Sequence, residues 1–181
     1  MCNTLTAAKD VDGISLASLA AVFTDAPDGF PPCTAAACVA ILEHYKVPIV
    51  GKHVVVIGRS LVVGKPVSMM LLRRNASVTI CHSRTENLQE ISRSADIVIC
   101  ATGRARAYGR EYFRPGQTVL DVGINFDVHG KLCGDVDFDE VEPIVDAITP
   151  VPGGVGTVTT SMTMQHTVAA AEAQLKESLK G

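Results

Sequence analysis

The chain has 181 residues, of which 47% are hydrophobic and 19% are charged, and its formal net charge is -3. This composition predicts one full domain with additional elements and a well-buried core, and it argues against disorder. The slightly negative charge argues against a nucleic-acid-binding surface, which is usually basic. We expect no membrane association, because no apolar run could span a bilayer and no basic-then-apolar leader opens the chain.

The six cysteines are scattered and include no C-x-x-C pair. Cys81 and Cys100 lie in apolar runs that are typical of strands, where cysteine behaves as a small hydrophobic residue. We therefore expect reduced thiols in a cytoplasmic protein, without a disulfide framework or a metal site.

The first 30 residues are predicted to be irregular. The segments K-D-V-D-G at residues 9–13 and D-A-P-D-G at residues 25–29 are typical of turns, and on composition alone Asp10 and Asp12 are loop or cap residues. A helix is predicted over residues 33–45, and Pro48 ends it.

From residue 51 onwards, predicted strands alternate with predicted helices. The strands cover residues 54–57, 76–81, 96–101, 118–122 and 147–151, the helices cover residues 64–74, 85–94, 138–145 and 159–179, and a hairpin turns at Gly130. Thr85 is expected to cap the second of these helices. Alternation of this kind predicts an α/β fold, a Rossmann-like doubly wound and mostly parallel sheet with flanking helices and right-handed crossovers.

The stretch V-V-V-I-G-R-S-L-V-V-G-K-P, residues 54–66, is predicted to bind an anion. Its four β-branched apolar residues are typical of a parallel strand buried on both faces. Gly58 ends this strand, and Gly64 begins a helix that has Pro66 in its first turn. Free backbone N–H groups and the helix dipole favour an anion at such a turn. An ordinary strand-to-helix turn is the alternative interpretation.

The glycine spacing of this turn is G-x-S-x-x-x-G, whereas the usual dinucleotide fingerprint is G-x-G-x-x-G. The physical requirements are still met. Gly58 allows the tight turn, Ser60 can donate a hydrogen bond to a phosphate, and Gly64 lets the helix begin close to it. The turn therefore favours a dinucleotide.

The residues after the second strand indicate which dinucleotide is bound. NAD-binding domains usually have a carboxylate there, which accepts from the ribose 2′-hydroxyl. This chain has C-H-S-R-T at residues 81–85 and no carboxylate before Glu86. Arg59, Ser83 and Arg84 could bind a 2′-phosphate through charge-assisted hydrogen bonds, although Arg84 alone could equally be a solvated surface charge. We predict NADP rather than NAD.

Two further strands end at the same carboxyl edge of the predicted sheet, where open α/β sheets bind ligands. They end at A-T-G, residues 101–103, and at V-G-I-N, residues 122–125, where small residues allow a flat nicotinamide to lie against the backbone.

Seven motifs occur in a fixed order along almost the whole chain. They are K-D-V-D-G at 9–13, P-C-T at 32–34, G-R-S-x-x-V-G-K-P at 58–66, C-H-S-x-T at 81–85, D-V-G-I-N at 121–125, G-D-V-D-F at 134–138 and T-P-V-P-G-G-V-G at 149–156. With these motifs the chain resembles the bifunctional methylenetetrahydrofolate dehydrogenase/methenyltetrahydrofolate cyclohydrolase family.

The resemblance implies a nicotinamide domain packed against an N-terminal catalytic domain, with a tetrahydrofolate-type molecule between them. It implies that Arg59 and Ser83 meet the 2′-phosphate of NADP, that Asp12 contacts the pterin, and that family members form homodimers. The residues expected to bind the cofactor are Gly58, Arg59, Ser60, Gly64, Lys65, Pro66, His82, Ser83, Arg84, Thr85, Ala101, Thr102, Gly103 and Ile124. The residues expected to bind the substrate are Asp12, Pro152, Gly153, Gly154, Val155 and Gly156.

The resemblance also implies a division of the chain. Residues 1–32 would be a remnant of the catalytic domain, residues 33–50 a linking helix, residues 51–152 the Rossmann-like NADP-binding domain, and residues 153–181 a folate-side loop and a C-terminal helix that would pack on the missing domain.

The implied reaction is oxidation of 5,10-methylenetetrahydrofolate by hydride transfer to NADP, followed by hydrolysis of 5,10-methenyltetrahydrofolate to 10-formyltetrahydrofolate. The family's catalytic lysine comes from a Y-x-x-x-K motif and its partner glutamine from V-Q-L-P, and this sequence contains neither motif. We assign no catalytic residue in this chain and expect it to be weakly active or inactive alone. The alternatives are a non-catalytic NADP-binding module and one subunit of a split enzyme.

Overall fold

The computed structural model describes residues 5–27 and 29–179, and they contain a five-stranded parallel sheet in the order β2-β1-β3-β4-β7. The strands of this sheet are β1 (His53–Ile57), β2 (Ser77–Cys81), β3 (Ile97–Cys100), β4 (Thr118–Asp121) and β7 (Ala147–Ile148). A small antiparallel pair is formed by β5 (Asn125–Phe126) and β6 (Leu132–Cys133). The helices are α1 (Leu16–Thr24), α2 (Cys33–His44), α3 (Gly64–Leu72), α4 (Leu88–Ser94), α5 (Phe138–Val141) and α6 (Val155–Ser178).

Helices cover both faces of the sheet. On one face, Val54, Val56 and Ile99 pack into a buried cluster with side chains from α2, α3 and α6. On the other face, Val55 and Val98 pack with side chains around α4, α5 and the short 3-10 helix Arg110–Tyr112. Because every residue of β1 from Val54 to Ile57 is buried, the apolar run does not alternate with polar residues. The predicted doubly wound α/β fold is confirmed.

The register aligns the carboxyl ends of the strands. Ile57 is paired with Cys81 of β2 and with Cys100 of β3, and Cys100 is paired with Asp121 of β4. The residues that follow these four strands therefore lie along the same edge of the sheet. This is the edge where the sequence predicts a ligand.

The prediction that the first 30 residues are irregular is wrong, because α1 lies within them. Ser15 caps this helix by accepting a hydrogen bond from the Ser18 N–H. The buried Asp10 carboxylate accepts hydrogen bonds from the Ile14 and Ser15 N–H groups and from the Ser18 hydroxyl. These bonds satisfy donors at the entry of α1.

Three other helices differ from the predicted bounds by more than two residues at one end. Helix α4 begins at Leu88 rather than residue 85, and Thr85 does not cap it but accepts a hydrogen bond from the His82 N–H. Helix α5 is shorter than predicted, and α6 begins at Val155 rather than residue 159. The hairpin turning at Gly130, which has a positive φ of 74°, agrees with the prediction.

The N-terminal segment is attached to α2 and α6 by a buried polar cluster. The Nδ1 atom of His166 in α6 lies 2.9 Å from the carbonyl oxygen of Val11 and 3.4 Å from the Cys33 thiol. The imidazole also stacks on Phe30, with 4.9 Å between ring centroids. Burial raises the pKa of the Cys33 thiol, which keeps it in the unreactive neutral form. These contacts give His166 a structural role.

The cysteines in the described residues are free thiols, and all of them are buried; Cys2 lies outside those residues. Of the helices in the described ranges, none combines the length and the apolar character needed to cross a lipid bilayer.

Candidate functional site

The glycine turn after β1 is held by close backbone packing. Gly58 has a φ of 141°, and a Cβ there would collide with the Ala101 carbonyl. A Cβ on Gly64 would in turn collide with the Gly58 carbonyl, so the start of α3 lies directly against the end of β1. The Ser60 Oγ accepts from the N–H groups of Val63 (3.1 Å) and Gly64 (3.4 Å). Since both of these bonds use the oxygen as acceptor, the hydroxyl proton remains available for a ligand.

The turn after β2 is ordered by His82. Its N–H donates to Thr85 Oγ1 (2.9 Å), and its Nδ1 accepts from the Arg84 N–H (3.2 Å). Ser83 and Arg84 are exposed on this turn.

The loop after β3 is held by Asp135, which lies between β6 and α5 and is completely buried. Its carboxylate accepts hydrogen bonds from the N–H groups of Thr102 (2.5 Å), Gly103 (3.1 Å) and Arg104 (2.8 Å). The Thr102 hydroxyl and the Asn125 side-chain amide also donate to it, both at 2.9 Å. One side chain therefore fixes the backbone that forms a wall of the site.

A second buried carboxylate, Asp121 at the end of β4, supports the first. It accepts hydrogen bonds from the N–H groups of Gly123 (3.0 Å), Asp135 (2.9 Å) and Val136 (2.9 Å). Burial is the main cause that raises the pKa of Asp121 to about 6, and the nearby Asp135 adds to it while the hydrogen bonds oppose it. Gly134 is required beside it, because a Cβ there would collide with the Asp121 carboxylate.

A cleft of about 630 Å³ lies across the carboxyl ends of β2, β1 and β3. It is lined by Gly58, Arg59, Ser60, His82, Ser83, Thr85, Leu88, Ala101, Thr102, Arg104, Ala107, Tyr108 and Tyr112. No carboxylate is among these lining residues, whereas two of them are arginines. A long cleft with hydroxyl and guanidinium donors and without acidic groups suits a polyanionic ligand.

A second cavity of about 560 Å³ lies beyond β4, between the end of that strand and α6. Its walls include Ile124 and the loop residues Pro152, Gly153, Gly154 and Gly156. The peptide bond between Val151 and Pro152 is cis. Because the loop presents glycine backbone to the cavity, a flat ligand could lie close to it.

Comparison with known proteins decides the family. Residues 32–175 match the family model described as "Tetrahydrofolate dehydrogenase/cyclohydrolase, NAD(P)-binding domain". The chain belongs to this family. The bifunctional protein FolD of Carboxydothermus hydrogenoformans is 60% identical over 166 residues, which are 91% of this chain and 58% of that relative. The chain thus spans little more than half the length of the curated relatives it matches.

Solved structures of the tetrahydrofolate dehydrogenase/cyclohydrolase family show the same fold. The bifunctional FolD enzyme of Campylobacter jejuni has a TM-score of 0.92 and 38% identity, and the match covers 96% of this chain and 61% of that one. The Trypanosoma brucei enzyme, solved with NADP and an inhibitor, has a TM-score of 0.89 and 35% identity, over 96% of this chain and 62% of that one.

Eight of the fourteen residues that the sequence predicts for the cofactor line the cleft across the ends of β2, β1 and β3. The others lie elsewhere. Lys65 and Pro66 line a small groove that faces α1, Gly64 is buried beneath the turn, and Arg84 and Gly103 are exposed outside the cleft lining. Ile124 lines the second cavity, next to the glycine loop.

The predicted substrate residues are also divided. Pro152, Gly153, Gly154 and Gly156 line the second cavity, and Val155 is buried at the start of α6. Asp12 is exposed and is not part of that lining; its carboxylate lies near the Cys33 thiol.

Sequence reasoning did not assign a role to Asp121 or Asp135. Both occur in motifs that carry the family resemblance, D-V-G-I-N and G-D-V-D-F. The available signals are the position of Asp121 at the end of an apolar strand and the position of Asp135 directly after a glycine. Burial of such an acid can be predicted only when the backbone N–H groups that donate to it are known. For Asp121 and Asp135 most of these groups come from distant parts of the chain.

Proposed function

We propose that this chain is the NADP-binding part of an enzyme that oxidises 5,10-methylenetetrahydrofolate and hydrolyses the 5,10-methenyl product to 10-formyltetrahydrofolate. The observation that carries the proposal is the carboxylate-free cleft with Arg59 at its glycine turn. A carboxylate beside the adenosine ribose would repel a 2′-phosphate, whereas a guanidinium there attracts it.

The side chains of the cleft fit this dinucleotide. Bound NADP would supply the hydride acceptor for the reaction. Ser60 would donate its free hydroxyl proton to a phosphate, and Arg59 with Ser83 would bind the 2′-phosphate. Small residues at the end of β3, Ala101 and Thr102, leave room for the rest of the dinucleotide against the backbone. Five predicted cofactor residues outside the cleft lining would then act by shaping these turns; they are Gly64, Lys65, Pro66, Arg84 and Gly103.

The second cavity is proposed as the place where the tetrahydrofolate-type substrate meets the nicotinamide. It adjoins the end of β4, so a dinucleotide extending from the first cleft across the sheet edge would reach it. In this arrangement residues 51–152 form the cofactor domain, and residues 1–32, 33–50 and 153–181 form the side that faces a catalytic domain. Asp12 would contact the pterin from that side.

Replacing Arg59 by alanine is expected to weaken NADP binding about tenfold to thirtyfold, because a charge-assisted hydrogen bond contributes about 1.5–2 kcal/mol. Binding of NAD, which lacks the 2′-phosphate, should change less than about threefold. Isothermal titration of wild type and variant with both nucleotides measures the two affinities. Failure of the wild type to bind either nucleotide, or a preference for NAD, contradicts the proposed cofactor.

The chain alone is expected to show little dehydrogenase activity. The sequence lacks the Y-x-x-x-K and V-Q-L-P motifs from which the family's lysine and glutamine would come. The measurement is the rate of NADPH formation from methylenetetrahydrofolate, with a complete bifunctional relative as control. A rate comparable to that of the control would show that this chain contains its own catalytic group.

The same assay separates the alternatives. Activity that appears when the N-terminal part of a relative is added as a separate chain would indicate one subunit of a split enzyme. NADP binding without activity under either condition would favour a non-catalytic module. We propose a cytoplasmic homodimer without nucleic-acid or membrane partners, and light scattering of the purified chain tests the dimer.

A further inference from the structure

We infer that Arg104 is a second cofactor-binding cation, which binds the diphosphate of the dinucleotide while Arg59 binds the 2′-phosphate. The inference rests on the proposed function and assigns a residue outside the segments in which the sequence predicts cofactor contacts. Arg104 lines the cleft together with Arg59, Ser60 and Ser83.

The position of Arg104 is fixed by the buried carboxylate of Asp135. The Arg104 N–H donates to that carboxylate at 2.8 Å, and the two preceding residues donate to it as well. The backbone at residue 104 is therefore anchored, although the residue itself is exposed. An anchored backbone reduces the conformational freedom that the side chain must lose when it binds a ligand.

The charge of Arg104 is not neutralised within the described ranges. Arg73, Arg74 and Arg106 each form an ion pair with a carboxylate. Among the described side chains, those of residues 5–27, 29–176 and 178–179, no carboxylate oxygen lies within 4.0 Å of the guanidinium nitrogens of Arg59 or Arg104. Two uncompensated guanidinium groups in one acid-free cleft indicate an anion with more than one charged group.

The strand order places Arg59 and Arg104 after two different, neighbouring strands. In the sheet β2-β1-β3, Ser83 follows β2, the glycine turn follows β1, and Arg104 follows β3. A diphosphate bound at the glycine turn would have the β2 side, with Ser83, on one flank and Arg104 on the other. The 2′-phosphate belongs to the β2 side, so the diphosphate is the anionic group within reach of Arg104.

The test is titration of wild type, Arg104→Ala, Arg104→Lys and Arg59→Ala with NADP, NAD and ADP. Arg104→Ala is expected to weaken all three ligands about tenfold, because each contains the diphosphate, and to leave the ratio of NADP to NAD affinity unchanged. Arg104→Lys, which keeps the charge, should recover most of the loss. Arg59→Ala should change the ratio instead. Arg110→Ala is the matched control, because Arg110 is exposed and does not line the cleft.

Each outcome separates this inference from the proposed function. Unchanged affinities in Arg104→Ala, or a loss confined to NADP, would overturn the diphosphate assignment while the cofactor proposal remains. A loss that Arg104→Lys does not recover would point to a disturbed loop and would also overturn it; urea unfolding of each variant detects such a disturbance. If the wild type binds none of the three ligands, the proposed function fails and the inference with it.

Discussion

Replacing Asp135 by alanine is expected to lower the free energy of unfolding by about 3–5 kcal/mol, the range found when one partner of a buried charged network is removed. The substitution leaves the N–H groups of Thr102, Gly103 and Arg104 without their acceptor inside the protein. Each unsatisfied buried donor costs about 1–3 kcal/mol, although water entering the space would recover part of the loss. Urea unfolding followed by circular dichroism measures the change.

The effect of Asp135→Ala should extend to ligand binding, because two of the released residues, Thr102 and Arg104, line the cleft that we propose for the cofactor. The control is Asp139→Ala, which removes an equal charge from an exposed ion pair with Arg106 and should cost less than about 1 kcal/mol. If Asp135→Ala does not fold, Asp135→Asn keeps the shape and places an amide NH₂ against backbone donors, so a smaller loss is still expected. A destabilisation equal to that of Asp139→Ala would contradict the role of Asp135 as the anchor of this loop.

Ionisation of Asp121 is expected to lower the free energy of unfolding as the pH rises from about 4 to about 7. Burial raises the pKa of Asp121 from its ordinary value of 3.8 to about 6, so the folded state holds this proton more tightly than the unfolded state does. The stabilisation from the bound proton is complete at pH values below the ordinary pKa of 3.8, and it is lost as the pH rises through about 6. With about 1.36 kcal/mol for each pKa unit, the loss is about 3 kcal/mol.

The measurement compares wild type with Asp121→Asn at several pH values between 4 and 7. The asparagine does not titrate, so the difference in unfolding free energy between the two proteins should itself change by about 3 kcal/mol across this range. The variant is expected to be the less stable protein at low pH, because its amide NH₂ replaces one oxygen that accepts a backbone hydrogen bond. A difference that stays constant with pH would show that Asp121 titrates near its ordinary value.

Two classes of residue account for what the sequence predicts well. The apolar run of β1 has no polar alternation, and its burial on both faces follows directly from that pattern. Gly58 and Gly64 mark the turn because their backbone conformation and close packing exclude a Cβ. Both signals are local, so they can be recognised without any knowledge of the fold.

The features that the sequence does not indicate depend on contacts that form only in the folded chain. Helix α1 lies in the segment predicted to be irregular, and at its entry the Asp10 carboxylate accepts hydrogen bonds from Ile14, Ser15 and Ser18, which composition alone does not indicate. Lys65, which the motif predicts to bind the cofactor, lines a groove with residues of α1, and this position depends on how α3 packs against α1. Arg104, which we propose to bind the diphosphate, lies outside the motifs that the sequence analysis uses.

The sequence by itself determined the succession of strands and helices, the glycine turn and the family motifs, since these depend on residue type at fixed local spacing. Only the tertiary structure decided which side chains share a cleft. The aligned ends of β2, β1 and β3 bring Ser83, Arg59 and Arg104 to one cleft, although they are far apart in the chain. The buried carboxylates of Asp121 and Asp135 hold the loop after β3 on one side of this cleft, because backbone donors from separate loops converge on them.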